Sequence, residues 1–180
     1  MMEEKKTNTG PLKGVVVVDF TQLAQGPWAT QTLGDMGADI IKIEPPKGDW
    51  MRHYAYGNMY PAGESISFLS FNRNKRSIVL NLKSAKGIEA VKRMVAKADI
   101  VIENFRPGVM DRMGIGYDVL KEMNPGIIYC SSSGYGPDGP YVSRPGQDLL
   151  AQSLAGGAYL NGRKGDLPVI TAVGQADLLT

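Results

Sequence analysis

The run Val15-Val16-Val17-Val18-Asp19-Phe20 constrains this chain more than any other feature. β-branched side chains favour extended backbone, and the run is too short for a helix. Uninterrupted apolar residues, without polar alternation, belong to a strand covered on both faces, as in a parallel sheet. Parallel strands need long crossovers, so helical segments must alternate with the strands that follow. Residues 27–36 supply the first, with Pro27 at its opening position and Gly37 just past its end. Asp39-Ile40-Ile41-Lys42-Ile43-Glu44 is the second strand, closed by Pro45-Pro46. Together these form one βαβ unit with a right-handed crossover.

The pattern repeats. Residues 77–82 read as a strand, and Ser84 caps a helix running to about Lys97, with Ile88, Val91, Val95 and Ala98 on one face. Residues 99–103 form another strand, residues 118–123 a short helix stopping before Pro125, and residues 127–130 a further strand. The expectation is an α/β fold: an open, doubly wound, Rossmann-like parallel sheet with helices on both faces. Residues 148–155 read as helix, 167–172 as strand, and 174–180 as the opening of a helix with no stop signal. Residues 1–10 are therefore read as a polar tail and 11–180 as one domain cut short at its C-terminal end.

Composition narrows the chemistry. Twenty basic against 18 acidic residues, a formal charge of +2, is too weak a balance to imply nucleic acid or a membrane surface as partner. Cys130 and His53 are the single members of their types, which removes internal disulfides, Cys-rich zinc sites and most Ser-His-Asp arrangements. No metal site is expected. The first ten residues lack the apolar stretch of a secretory signal, and no apolar run approaches a membrane span, so a cytoplasmic location is the expectation. Chemistry must rest on carboxylates, amides, backbone donors or a bound cofactor.

Two long connections, 45–63 and 131–146, are rich in Gly and Pro and follow predicted strand ends, where ligands of open α/β sheets bind. Surface decoration is the plainer alternative. The first strand–helix turn, Thr21-Gln22-Leu23-Ala24-Gln25-Gly26-Pro27, is not G-x-G-x-x-G, and no P-loop occurs. Glu44 ends the second strand as an acid does in dinucleotide domains, but without the glycines NAD is not expected. The Gly26-Pro27 helix start either receives an anion or is a simple cap. Arg73, Lys75 and Arg76 either hold phosphates or form a solvated basic turn. Asn104-Phe105-Arg106-Pro107-Gly108, with Arg112 beyond it, would suit a phosphate-bearing nucleotide with a stacked base, or is a structural loop. By spacing alone, Asp148 and Asp177 read as residues of helix starts.

At that point the residues resemble a known family, the class III (family III) CoA-transferases, which include formyl-CoA and carnitine CoA-transferases and have α-methylacyl-CoA racemase as a relative. The carriers are Pro11-Leu12-Lys13-Gly14, Asp19-Phe20-Thr21 leading to Gly26-Pro27, and residues 37–44 and 72–77. More telling are the stretch from Asp99 to Gly108, residues 120–125 and Ser133-Gly134-Tyr135-Gly136, in this order and spacing. The resemblance implies that Asp177 is the nucleophile that attacks an acyl-CoA thioester, with Asp148 assisting. It implies CoA contacts at Leu80, Lys83, Asn104, Phe105, Arg112 and Met113, and also at Ala24 and Gln25. Ala24 stands where formyl-CoA transferases carry glutamine, and Gln147 where racemases carry a catalytic histidine. Acyl-CoA and a small carboxylic acid are the implied partners. The resemblance further implies a chain more than twice as long, a small second domain, a Gly-rich closing loop and an interlocked homodimer. An acyl-CoA racemase or epimerase and a catalytically incomplete CoA-binding half-domain remain the alternatives.

Overall fold

The computed structural model describes residues 9–179. Five strands, β1 (Val16–Asp19), β2 (Asp39–Glu44), β3 (Lys75–Val79), β4 (Ile100–Glu103) and β5 (Ile128–Ser131), form an all-parallel sheet in the order β3-β2-β1-β4-β5. The helices are α1 (Gln25–Asp35), α2 (Ile66–Phe71), α3 (Ala85–Val95), α4 (Val109–Arg112), α5 (Tyr117–Met123), α6 (Asp148–Leu154), α7 (Gly157–Leu160) and α8 (Gln175–Leu179). This is the doubly wound α/β fold that the alternation predicts. Among the described residues, no helix is long and apolar enough to cross a membrane.

Alternate residues of the central strands feed two separate cores. Val18, Ile43 and Val101 turn to one face, where they join Val91 and Val95 of α3 and Leu120 of α5. Val17, Ile40 and Ile102 turn to the other and meet Leu33 of α1. The β-branched run of β1 is thus covered on both sides, and each fully buried side chain contributes roughly 1.5–3 kcal/mol. Ser84 caps α3 by accepting a 3.1 Å hydrogen bond from the Gly87 amide, and the predicted stripe of that helix faces the sheet.

Three readings change. Residues 167–172 are not a strand: the segment lies beyond β5 in the chain, forms no ladder, contains Pro168, and leaves Leu167 85% exposed. A strand is stable only where a neighbour completes its hydrogen bonds. Strand β3 begins at Lys75, not residue 77, because β2 dictates its register from Ile40↔Lys75 to Glu44↔Val79. It is an edge strand, where exposed Arg76 and Ser77 are tolerated. The connection 45–63 is also not irregular; it holds short 3-10 turns at Trp50–Arg52, Tyr56–Asn58 and Pro61–Gly63, and α2 follows.

Buried charge ties that connection to the sheet. Lys42 Nζ reaches Asp49 Oδ2 at 2.8 Å with both side chains sealed from solvent, and it donates to the Thr21 carbonyl at 2.7 Å. Glu44 accepts from Arg52 through both carboxylate oxygens (2.7 and 2.8 Å) and from the Asp49 amide at 2.8 Å. Arg52 in turn lies 3.7 Å from the centre of the Phe68 ring. Burial alone would raise the pKa of Glu44, but the bonds from Arg52, Ser77 and the Asp49 amide outweigh it and bring it down to about 2. Glu44 is therefore committed to folding its own loop and is not a ribose ligand.

Two outcomes follow from this network. Replacing Lys42 by Met strands the Asp49 carboxylate in the interior and is expected to lower unfolding free energy by about 3–5 kcal/mol in urea titrations. Because the folded pKa of Glu44 lies below its unfolded value, its stabilisation is complete above about pH 4.5 and lost as pH falls towards 2. Glu44→Gln should flatten the pH dependence of melting temperature across that window.

Candidate active site

The order of the strands places a crevice before any side chain is considered. Connections from β1 and β4 depart to opposite faces of the sheet, so the carboxyl end of the sheet opens between them. A cleft of about 830 Å³ lies there. Its walls come from the turn after β1 (Gln22, Leu23, Ala24, Gln25), the loop after β4 (Asn104, Phe105, Arg106, Pro107) and the connection after β2 (Trp50, Tyr54, Tyr56). Part of the loop after β5 and the starts of α6 and α8, with Asp148 and Asp177, close it.

Two close backbone approaches shape these walls. A Cβ at Gly26 would lie 2.3 Å from the Thr21 side chain, so only glycine permits the tight turn from β1 into α1. Gly134 and Gly146 meet backbone to backbone, and a Cβ on either would overlap the other at 2.3–2.5 Å. That contact closes residues 134–146 into a loop on the cleft rim.

The two aspartates are brought together by α6 and α8. Asp148 Oδ1 accepts from the amides of Ala176 (2.6 Å) and Asp177 (3.2 Å), so a side chain of one helix supplies the cap of the other. Its Oδ2 accepts from Gln152 Nε2 at 2.5 Å. Gln152, buried one turn along α6, accepts from Thr171 N and Oγ1 at 2.9 and 3.1 Å and so anchors the segment leading to α8. Asp177 is half-buried. Burial, and then the charge of Asp148, push its pKa above the ordinary aspartate value. Tyr56 shares this environment: its phenol is raised by burial, then by Tyr54 and the two aspartates. Trp50 and Tyr54 stack at 4.9 Å, and Tyr54 meets Tyr56 edge-on at 5.6 Å, giving an aromatic wall beside the acid pair.

Of the residues expected at the site, Ala24, Gln25, Asn104, Phe105, Asp148 and Asp177 line this one cleft. Leu80, Lys83, Arg112 and Met113 do not. Leu80 and Met113 pack, with Phe105, against the core beneath α3 and α5, while Lys83 and Arg112 are exposed. Phe105 is common to both groups. The basic trio is held elsewhere: Arg73 pairs with Asp35 and Arg76 with Asp39, while the buried Lys75 pairs with Asp19 at 3.2 Å. None of the three lines the cleft. Burial lowers the Lys75 pKa to about 8 despite the opposing pull of Asp19. These cations are structural ties.

Sequence reasoning missed Trp50, Tyr54, Tyr56 and Gln152. The aromatic density of residues 50–60 signalled the first three, and the i, i+4 spacing from Asp148 signalled the last. No His or Cys lines the cleft, and among the described residues no three His, Cys, Asp or Glu side chains gather as metal ligands would.

The pattern of CoA-transferase family III matches residues 12–180. The chain belongs to that family. It is 42% identical over 174 residues to succinyl-CoA:glutarate CoA-transferase of Homo sapiens, covering 96% of this chain and 39% of the relative. It is 47% identical over 148 residues to acetyl-CoA:oxalate CoA-transferase of Acetobacter aceti, covering 82% of this chain and 37% of that one. A CaiB/BaiF family protein from Brucella suis superposes with a TM-score of 0.89 at 42% identity, over 94% of this chain and 45% of that structure. The chain thus spans about two-fifths of the length of the curated family III relatives it matches.

The acid pair yields a direct test. Asp148→Asn keeps an oxygen acceptor for the α8 amides but removes the charge, at the expense of the Gln152 contact. The pKa of Asp177 should fall towards the ordinary aspartate range, read by NMR titration of its carboxyl carbon. An unchanged value would mean that burial alone sets it.

Proposed function

We propose that this chain carries the CoA-binding and nucleophilic portion of an enzyme that moves CoA from an acyl-CoA donor to a carboxylic acid acceptor. One observation carries the reading: Asp177, half-buried and pushed up in pKa, shares a crevice with Asp148 at the carboxyl end of a family III CoA-transferase sheet, with no His or Cys on the walls. The names of the relatives point the same way, since one joins succinyl-CoA with glutarate and another acetyl-CoA with oxalate.

In this reading the Asp177 carboxylate attacks the thioester carbonyl. The C–S bond breaks, CoA leaves as thiolate and an acyl-aspartyl anhydride remains. The thiolate returns to the aspartyl carbonyl, releasing the donor acid and leaving an aspartyl-CoA thioester. The acceptor carboxylate attacks that thioester, frees the thiolate again and forms a second anhydride. Attack of the thiolate on the acceptor's acyl carbon gives the new acyl-CoA and restores Asp177. A carboxylate suits both roles because it is nucleophile and leaving group near neutral pH. Asp148 holds α8, and so the Asp177 backbone, through two amides. The pantetheine arm runs past Phe105, which borders both the cleft and the Leu80–Met113 patch, and the exposed cations of Lys83 and Arg112 face the phosphates. Residues 11–180 form the N-terminal Rossmann-like part, and a second domain and a second copy of the chain complete the enzyme.

Hydroxylamine trapping during turnover with an acyl-CoA and a free carboxylic acid should leave a hydroxamate on Asp177, located by peptide mass spectrometry. Asp177→Ala should lose at least about 10³-fold in transfer rate. A hydroxamate on another residue overturns the nucleophile assignment. Exchange of the α-proton without CoA transfer would instead identify an acyl-CoA racemase.

A further inference from the structure

We propose that Asn104 is a positioning residue: its side chain acts as a length of surrogate backbone that holds the turn after β1. Asn104 Oδ1 accepts from the Gln22 amide at 2.9 Å, and Asn104 Nδ2 donates to the Gln22 carbonyl at 2.9 Å. Both ends of one carboxamide engage both backbone groups of one residue. This is the pairing that a neighbouring strand would provide. It begins where the real ladder stops, just after the Phe20 amide donates to the Ile102 carbonyl at 2.8 Å. Asn104 therefore extends the β1–β4 pairing past the strand ends, into the crevice where the two connections diverge.

The turn needs that support. Leu23 has φ +69°, a left-handed conformation that costs a non-glycine residue about 1–2 kcal/mol. Such a backbone persists only where its neighbours are fixed. On the chain's N-terminal side, the Thr21 amide bonds Asp19 Oδ1 at 2.9 Å, the Thr21 carbonyl accepts from Lys42 Nζ at 2.7 Å, and Asn104 holds Gln22. On the other side, the Ala24 carbonyl accepts the Trp28 amide at 2.8 Å as α1 begins. The strained turn presents Gln22, Leu23, Ala24 and Gln25 to the cleft, and α1 touches the helix that carries Asp177. Removing the clamp should shift the wall against which a reacting group is aligned.

The catalytic part of this inference rests on the CoA-transferase reading; the clamp itself does not. Amide hydrogen exchange on the protein without substrate tests the clamp. In Asn104→Ala the Gln22 amide should exchange at least about tenfold faster while the Val17 and Val18 amides of β1 keep their protection. Asn104→Asp retains the acceptor and should protect the Gln22 amide at least partly. An unchanged Gln22 rate in Asn104→Ala overturns the proposal whatever the enzyme does. Steady-state kinetics separates the two roles: positioning predicts kcat about ten- to a hundredfold lower with KM for acyl-CoA within about twofold, a nucleotide contact the reverse. Calorimetry with CoA gives the same separation by binding alone, since a Kd raised about tenfold in Asn104→Ala overturns positioning. Faster Gln22 exchange beside a full-length wild-type protein that neither binds CoA nor transfers it would uphold the clamp and refute the transferase reading.

Discussion

The end of β1 is the point on which the ligand edge of this molecule depends, and one buried carboxylate secures it. Asp19 is sealed from solvent and accepts from the amide and hydroxyl of Thr21, from Thr30 of α1 at 2.7 Å, and from Lys75 of β3 at 3.2 Å. A charge in that position is tolerable only because every direction around it offers a donor. The same bonds connect β1, the turn after it, α1 and β3. The crevice opens because the connections of β1 and β4 diverge, and its walls keep their shape because Asp19, Lys42 and Asn104 satisfy the backbone groups that divergence leaves behind.

The site is built from polar capping devices more than from apolar packing. Asp148 caps a helix to which it does not belong, and Gln152 secures the segment preceding that helix. Arg52 and Glu44 fold the connection bearing Trp50, Tyr54 and Tyr56 over the carboxyl end of the sheet. In each case a charged or amide side chain ties one segment to another. This gives loops, which lack ladders of their own, the definition that a catalytic surface needs. The same surroundings tune the carboxylate proposed as nucleophile, and burial is the larger influence on Asp177.

The legibility of the sequence divided along physical lines. The strands β1, β2, β4 and β5 and the helices α1, α3, α5, α6 and α8 were visible because each carries its own periodic or capped pattern. The short α2, α4 and α7 were not, since one or two turns exist only through what they pack against. Residues 167–172 show the opposite error: Val, Ile and Leu favour strand, but propensity without a hydrogen-bonding neighbour forms none. At the site, Asp148 and Asp177 were reached through resemblance to a family, because by spacing alone both read as helix-start residues. Arg73, Lys75 and Arg76 looked free in sequence, yet their carboxylate partners, Asp35, Asp19 and Asp39, lie 37 to 56 positions away.

The sequence by itself determined a parallel α/β sheet with its ligand edge at the strand carboxyl ends, because side-chain periodicity and the need to cover both faces are local properties. Composition left carboxylates, amides, backbone donors or a bound cofactor for the chemistry, and a carboxylate nucleophile entered only through the resemblance to a family. Only the tertiary structure decided which polar residues are spent on folding and which face the cleft. Glu44 and Lys42 are consumed by the connection after β2 and Lys75 by Asp19 of β1, Asn104 completes a ladder, and Asp177 lies beside Asp148 through the packing of α6 and α8. Those assignments depend on contacts between distant segments, and no local pattern encodes them.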